Sequence, residues 1–262
     1  MSRPPGPQLA RVVMPAGGAV RVHPDPLALP SALRGGEVAR NRFDDPSGQF
    51  LVRYLATTLR GALLEVLAGF RTLPALERRL AEVAGVEGPD ELEPAGVVPA
   101  GFLARLQVAR IGARQATTWF VDVAATISQT VLGAHPVVSS TLAAGGLGTP
   151  GHPVQLDAGT IALAGPLGRR ITQVVAQVVY AETDAGGLRY VSRVDLNEEC
   201  WAVFDTVEVW ASATEPMTPG DPDLASACAA LGLRLPSSPP LGGPHPPEPR
   251  RQWAAGTGEG PS

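Results

Sequence analysis

Lysine is missing from the chain altogether, so all 21 of its basic side chains are arginine. This is a compositional bias to which no chemistry attaches. With a formal net charge of -4 and no basic run, nucleic acid is excluded as the main partner, because phosphate-backbone binding needs clustered cations. Only Cys200 and Cys228 carry thiols, in neither a CxxC pair nor a metal spacing, which points to a reduced, cytoplasmic protein. The four histidines, His23, His135, His152 and His245, are scattered and mostly beside proline, so no metal site is expected. The opening MSRPPGPQLARVV lacks the apolar core of a signal peptide. No apolar run approaches the length of a membrane span, so no membrane association is expected.

Standard nucleotide and hydrolase motifs are also lacking. There is no P-loop, no HExxH and no GxSxG. Gly146 to Gly151 reads GLGTPG, which matches GxGxxG by letter. A dinucleotide loop, however, must follow a strand and open a helix so that free N–H groups meet the phosphates. Pro150 and Pro153 deny that helix and no apolar strand precedes the glycines. The run is read as a flexible loop.

What is present is an ordinary apolar fraction of 44% on 262 residues, enough for one large domain with insertions and a tail. Residues 1–16 are rich in proline and glycine and are expected to be flexible. GAVRVHP (18–24) alternates like a strand, with Arg21 and His23 on one face and Val20 and Val22 on the other. In NRFDDPSG (41–48), Asp45-Pro46-Ser47-Gly48 is a turn signal. FLVRYLA (50–56) reads as a strand feeding a helix. Within RYLATTLRGALLEVLAGF (53–70), helical spacing puts Leu55, Leu59, Leu63, Val66 and Phe70 on one stripe. The single acid, Glu65, falls on a flank with Thr58, Gly61 and Gly69, so its carboxylate is expected to stand over an open groove.

A charged helical stretch (73–85), an acidic linker (86–100) and GFLARLQVARIG (101–112) follow. TTWFVDVA (117–124) reads as a strand. GRRITQVVAQVVYAE (168–182) spaces Ile171, Val174, Val175, Val178 and Val179 at helical intervals, with a strand as the alternative that its β-branching allows. GLRYVSRVD (187–195) and CWAVFDTVEVW (200–210) read as strands. From about residue 235 the composition cannot bury enough apolar surface to repay ordering, which predicts a disordered tail. Helices and strands interleave irregularly, so the fold class is α+β.

Five residues spread along these segments combine usefully. Arg21 and Arg42 are cations suited to phosphate oxygens. Tyr54 is an aromatic able to cover a ring. Glu65 is a carboxylate able to bind ribose hydroxyls and stabilise a positive centre, and Ser192 projects from a late strand.

On these residues the sequence resembles the RES domain family. Arg21 in VRVHP, the turn NRFDDPSG, and YLATTLRGALLE with eleven residues from Tyr54 to Glu65 resemble its N-terminal half. RITQVVAQVVYAE followed by GLRYVSRVDLNEECWAVF resembles its C-terminal half. The arginine, glutamate and serine of the family's name map onto Arg21, Glu65 and Ser192. Val22 stands where an aromatic is common, and NRFDDP replaces a frequent GGRWNP. The segment after Phe70 is longer than in compact members.

The resemblance implies an ADP-ribosyltransferase-like RES fold over 17–212, with a helical insertion at about 71–116 and a C-terminal extension over 213–262. It implies a toxin-type enzyme that cleaves the nicotinamide–ribose bond of NAD+, as a phosphorylase or glycohydrolase. Glu65, Arg21 and Ser192 would then be catalytic, with Arg21, Arg42, Tyr54 and Ser192 binding NAD+. It implies no cofactor, NAD+ being the substrate and inorganic phosphate a co-substrate, and an Xre-like antitoxin as partner. A protein ADP-ribosyltransferase and a non-catalytic RES-fold binding module are the alternatives.

Overall fold

Alternating burial along the strands organises the molecule. The computed structural model describes residues 8–29, 41–71, 96–147 and 155–235. Strand β1 is Arg11–Val13, β2 Ala19–His23, β3 Val52–Ala56, β4 Gln107–Ala113, β5 Trp119–Asp122, β6 Gly187–Val191, β7 Glu199–Phe204, β8 Val209–Ala211 and β9 Glu215–Pro216. They form one curled, mixed sheet in the order β1-β5-β6-β7-β3-β2-β4-β8, with β9 also on β4. The β5–β6 pair is parallel and the other strand pairs are antiparallel. Helices α1 (Leu59–Leu67), α2 (Ala100–Leu103), α3 (Thr126–Gly133), α4 (Pro136–Ala144), α5 (Ala158–Ala162), α6 (Gly165–Glu182) and α7 (Pro222–Leu231) complete the described residues, with a 3-10 turn at Ala68–Phe70.

The pleat separates two packed clusters. Val20, Val22, Val52 and Ala56 belong to the larger, with Leu63 and Leu67 of α1. Ala19, Leu55, Ile111, Phe120 and Trp201 belong to the smaller, on the other face. Because side chains alternate along a strand, each residue of β2 and β3 is committed to one face by its register. Helix α6 buries Ile171, Val175 and Val179, so the helical period prevails over the β-branching of its valines.

Several sequence expectations need correction. Arg11–Val13 pairs with Trp119–Val121 as an edge strand, so the loose N-terminal stretch is ordered from this point. The expected insertion at 71–116 contains β4, which pairs with β2 from Ala19↔Ile111 to His23↔Gln107. Val108 and Ile111 imitate helical spacing, but the open edge of β2 needs backbone partners and β4 supplies them. Residues 72–95 of that insertion lie outside the described residues. Leu55 belongs to β3 rather than to a helical stripe, because Thr58 ends the strand and caps α1 by accepting from the Gly61 N–H.

The C-terminal extension is also partly ordered. Asp221 caps α7, which ends at Gly232 with φ +67, and Leu224, Ala227 and Leu231 of α7 are buried. Arg234 then exchanges backbone hydrogen bonds with Gly96 and Val98. The expected disordered tail, from about residue 235, lies outside the described residues after Leu235, as does much of GLGTPG. No helix among the described residues is long and apolar enough to cross a membrane.

Candidate active site

Four of the five singled-out residues border one cleft of about 620 Å³: Arg21, Arg42, Tyr54 and Glu65. Its rim also carries Arg169 and Arg193, and Glu65 is the only acid in its lining among the described residues. On a chain of net charge -4, four arginines around one carboxylate make this a local anion attractor. A slightly larger hollow of about 700 Å³ lies around Trp119, Tyr180, Asp184 and Glu208. It brings none of the five residues together and has no cation in its lining among the described residues, so the smaller cleft is the better candidate.

Glu65 lies in the second turn of α1 and is half-buried. Ser192, directly after β6, is fully buried and donates through Oγ to Glu65 Oε1 at 2.6 Å. Ser192 Oγ also accepts from the Val194 N–H at 3.1 Å. The serine, expected to bind the ligand, thus lies outside the cleft lining and is joined to it through the glutamate. The expected flank of small residues is corrected as well. A Cβ on Gly61 would meet Glu198 Oε2 at 2.6 Å, and Thr58 Oγ1 donates to the same carboxylate. Thr58 and Gly61 thus receive Glu198, and only the cleft-side half of α1 serves Glu65.

Tyr54 is anchored at its hydroxyl, which donates to Asp44 Oδ1 at 2.8 Å and accepts from the Phe43 N–H at 2.9 Å. Burial, with Asp44 beside it, holds the phenol well above its ordinary pKa. Its ring is left as cleft wall, while its hydroxyl ties down the turn that carries Arg42. That turn is built by Asp45, whose carboxylate accepts from the Ser47 N–H and hydroxyl, the Gln49 N–H and Gln177 Nε2 of α6.

Arg42 is 7% exposed. Its Nη2 donates to the Ile161 carbonyl at 2.7 Å, and its guanidinium lies 5.0 Å from the Tyr190 ring centre and 5.2 Å from that of Phe43. Nε and Nη1 are buried without a hydrogen-bond partner among the described residues. Burial lowers its pKa, Tyr190 and Glu65 oppose that, and Arg193 adds to it. The same residues that mark the cleft therefore surround this cation.

Arg21 behaves differently. Its register pairs it with the face of Leu55 and Arg53, opposite Val22 and Tyr54. Its Nη1 donates to the Pro26 and Ala28 carbonyls, both at 2.7 Å. Burial, then Arg53, push its pKa down to about 10 against the pull of Asp25. Arg21 borders the cleft, but one end of its guanidinium holds the turn after β2.

Sequence reasoning missed Arg169, Arg193, Tyr190, His23 and Asn41 as lining residues. Arg193 is adjacent to Ser192 and Arg169 stands in the Gly-Arg-Arg start of α6, so both were legible as neighbours of motif positions. His23 titrates below its ordinary value because burial outweighs the Asp25 carbonyl that accepts from its ring. No cluster of three or more metal-ligating side chains occurs among the described residues. A family model described as RES domain matches residues 19–223, while no curated protein and no solved structure matches the chain.

Proposed function

This chain belongs to the RES domain family, and from that membership and its cleft we propose that it cleaves NAD+ at the nicotinamide–ribose bond, as a phosphorylase or glycohydrolase. The observation that carries the reading is the Glu65–Ser192 pair, which presents one oriented carboxylate in a cleft whose lining also holds four arginines.

The chemistry suits one carboxylate. Nicotinamide departs from NAD+ as a neutral molecule, because the ring nitrogen is already cationic, so no general acid is needed. The C1′–N bond breaks first and positive charge moves onto the ribose as an oxocarbenium-like species. Glu65 stabilises that charge and orients the ribose hydroxyls. Ser192 acts through Glu65 as a positioning residue. Arg42, backed by Arg21, meets the pyrophosphate, and the Tyr54 ring flanks the nicotinamide or its ribose. A phosphate oxygen attacking C1′ yields a 1-phosphate of ADP-ribose, whereas water yields ADP-ribose and a proton.

The test is to incubate purified protein with NAD+, with and without inorganic phosphate, and to resolve the products. Nicotinamide release is expected, lowered by at least about a hundredfold in Glu65→Gln. A folded Glu65→Gln variant with undiminished turnover would remove Glu65 from the mechanism. Absence of any product from the wild type would favour a binding module. Radiolabel passing from NAD+ into protein would mean ADP-ribosyl transfer to a side chain.

A protein that drains NAD+ harms its host, so an Xre-like antitoxin that closes the cleft is part of this proposal. Expression alone should slow bacterial growth, and co-expression of a neighbouring Xre-like gene should restore it. Unimpaired growth with unchanged cellular NAD+ would count against the toxin role.

A further inference from the structure

A groove lies at the end of the sheet away from Glu65. The hollow of about 700 Å³ around Trp119 and Tyr180 adjoins another of about 410 Å³ that holds Trp210, and Gln115 and Thr118 line both. Strand β6 starts beside this groove at Gly186 and ends beside the cleft at Arg193, which sets the two sites at opposite ends of the strand. The three rings are each half-buried, and they are fixed in advance. Phe50 stacks on Tyr180 at 4.4 Å between ring centres, and the Arg11 guanidinium lies 4.1 Å from the Trp119 ring centre. A Cβ on Gly112 would fall 2.6 Å from the Trp210 ring. Asp184 and Glu208 stand exposed in the larger hollow, and neither joins a salt bridge among the described residues. Arg114, on the smaller hollow, turns its Nε onto the Val209 carbonyl.

Fixed aromatic rings beside free carboxylates suit an extended segment that combines proline with arginine. Proline fixes φ before docking, so little entropy is lost, and its ring packs between aromatic side chains while arginine meets the acids. The chain itself carries such a segment outside the described residues. Residues 244–253 read PHPPEPRRQW. Pro246 and Pro249 are three apart, one turn of a polyproline helix, and Arg250 and Arg251 follow directly. RPPGP at residues 3–7 is placed less well. Arg11 pairs with Val121 and Val13 with Trp119, so the chain before Arg11 leaves from the end of β5 away from the groove.

The length of chain suffices. Arg234 is bonded to Gly96 and Val98, just before α2 and β4, and the groove opens past the other end of β4 at Gln115. The 7 residues of β4 cover about 23 Å at strand rise. Residues 236–245 cover about 31 Å in polyproline geometry. We propose that the groove is a docking site for residues 244–253 of this same chain, with the prolines against Trp119, Tyr180 and Trp210 and the arginines on Asp184 and Glu208. Docking of so short a segment is a local equilibrium, read at the rings it touches and not in the thermal midpoint.

Magnetic resonance of the full chain with isotope-labelled tryptophan tests this, and no turnover enters the readout. Pro246→Ala, Pro249→Ala and Arg251→Glu combined should shift the indole N–H signals of Trp119 and Trp210. The signal of buried Trp201 should stay in place, which shows that the variant is folded. A synthetic peptide of residues 244–253 added to that variant should return both signals to their wild-type positions. The same peptide with alanine at both prolines should bind at least about tenfold more weakly. Asp184→Arg in the full chain should weaken docking, and pairing it with Arg251→Glu should restore it. Identical Trp119 and Trp210 signals in wild type and the combined variant would overturn the proposal. So would shifts that grow with protein concentration, which mark the segment of a second copy, or restoration by a peptide of residues 1–10 instead.

Discussion

Ser192 and Glu65 stand 127 positions apart in sequence, yet the serine hydroxyl donates to the carboxylate across 2.6 Å. The bond is braced from behind. The Ser192 N–H donates to the Glu198 carbonyl, and the Glu198 carboxylate holds both Thr58, the N-cap of α1, and Arg60. One residue thus fixes the backbone beneath Ser192 and the start of the helix that carries Glu65. Ser192→Ala should lower kcat for nicotinamide release by about ten- to a hundredfold, because a misplaced carboxylate loses the near-attack geometry. KM for NAD+ should change far less, since the hydroxyl is bonded to Glu65 and Ser192 is not in the cleft lining. A rise in KM with kcat unchanged would instead mean that Ser192 binds NAD+ itself.

Gly61→Ala should destabilise the protein, although an alanine inside a helix ordinarily gains about 1 kcal/mol over glycine. The new methyl would collide with the buried Glu198 carboxylate, and such overpacking costs about 1–3 kcal/mol. In a Glu198→Ala background the same change should become stabilising. Chemical denaturation of the four proteins of this cycle reads the reversal directly. The same sign in both backgrounds would show that Glu198 does not press on Gly61.

Asp45 should contribute a pH-dependent part of the stability. Burial favours its neutral form, but hydrogen bonds from Ser47, Gln177 and Gln49 outweigh that and hold its pKa below the ordinary 3.8. A carboxylate with a lowered pKa in the folded state stabilises fully above its unfolded value. That contribution is lost as pH falls through the folded value. Asp45→Ala should therefore cost about 1–3 kcal/mol at pH 7, and its difference from wild type should shrink below pH 3.8. A difference that stays constant from pH 7 to pH 3 would mean that the loss is packing alone.

Truncation should distinguish the ordered extension from the residues after it. Removing residues from 236 onward should leave the thermal midpoint nearly unchanged, since their composition cannot repay ordering. Removing residues from 221 onward deletes α7, with Leu224, Ala227 and Leu231, and the Arg234 bonds to Gly96 and Val98. That protein should unfold far more readily, because three core side chains leave the face of α1. Equal midpoints for the two truncations would mean that α7 adds no stability.

The amino-acid sequence by itself determined the features whose cause lies within a few residues. The alternation of GAVRVHP made β2, the Asp45–Gly48 turn closed with Gly48 at φ +71, and five spaced aliphatics made α6 in spite of their branching. The YLA…ALLE and YVSR…WAVF blocks carried the family resemblance. What only the tertiary structure decided are the relations between distant segments. β4 lay within the expected helical insertion until β2 offered it an edge. Arg21 looked like the leading phosphate clamp until register turned it toward Arg53 and the Pro26 and Ala28 carbonyls. Arg42 looked secondary until its burial beside Tyr190 left Nε and Nη1 without a partner among the described residues. Ser192 was legible as a site residue, but its bond to Glu65 was not. Period and turn chemistry are local and survive in any window of the chain. Strand pairing, by contrast, is set between segments far apart, and a shift of one residue would send each of these side chains to the other face.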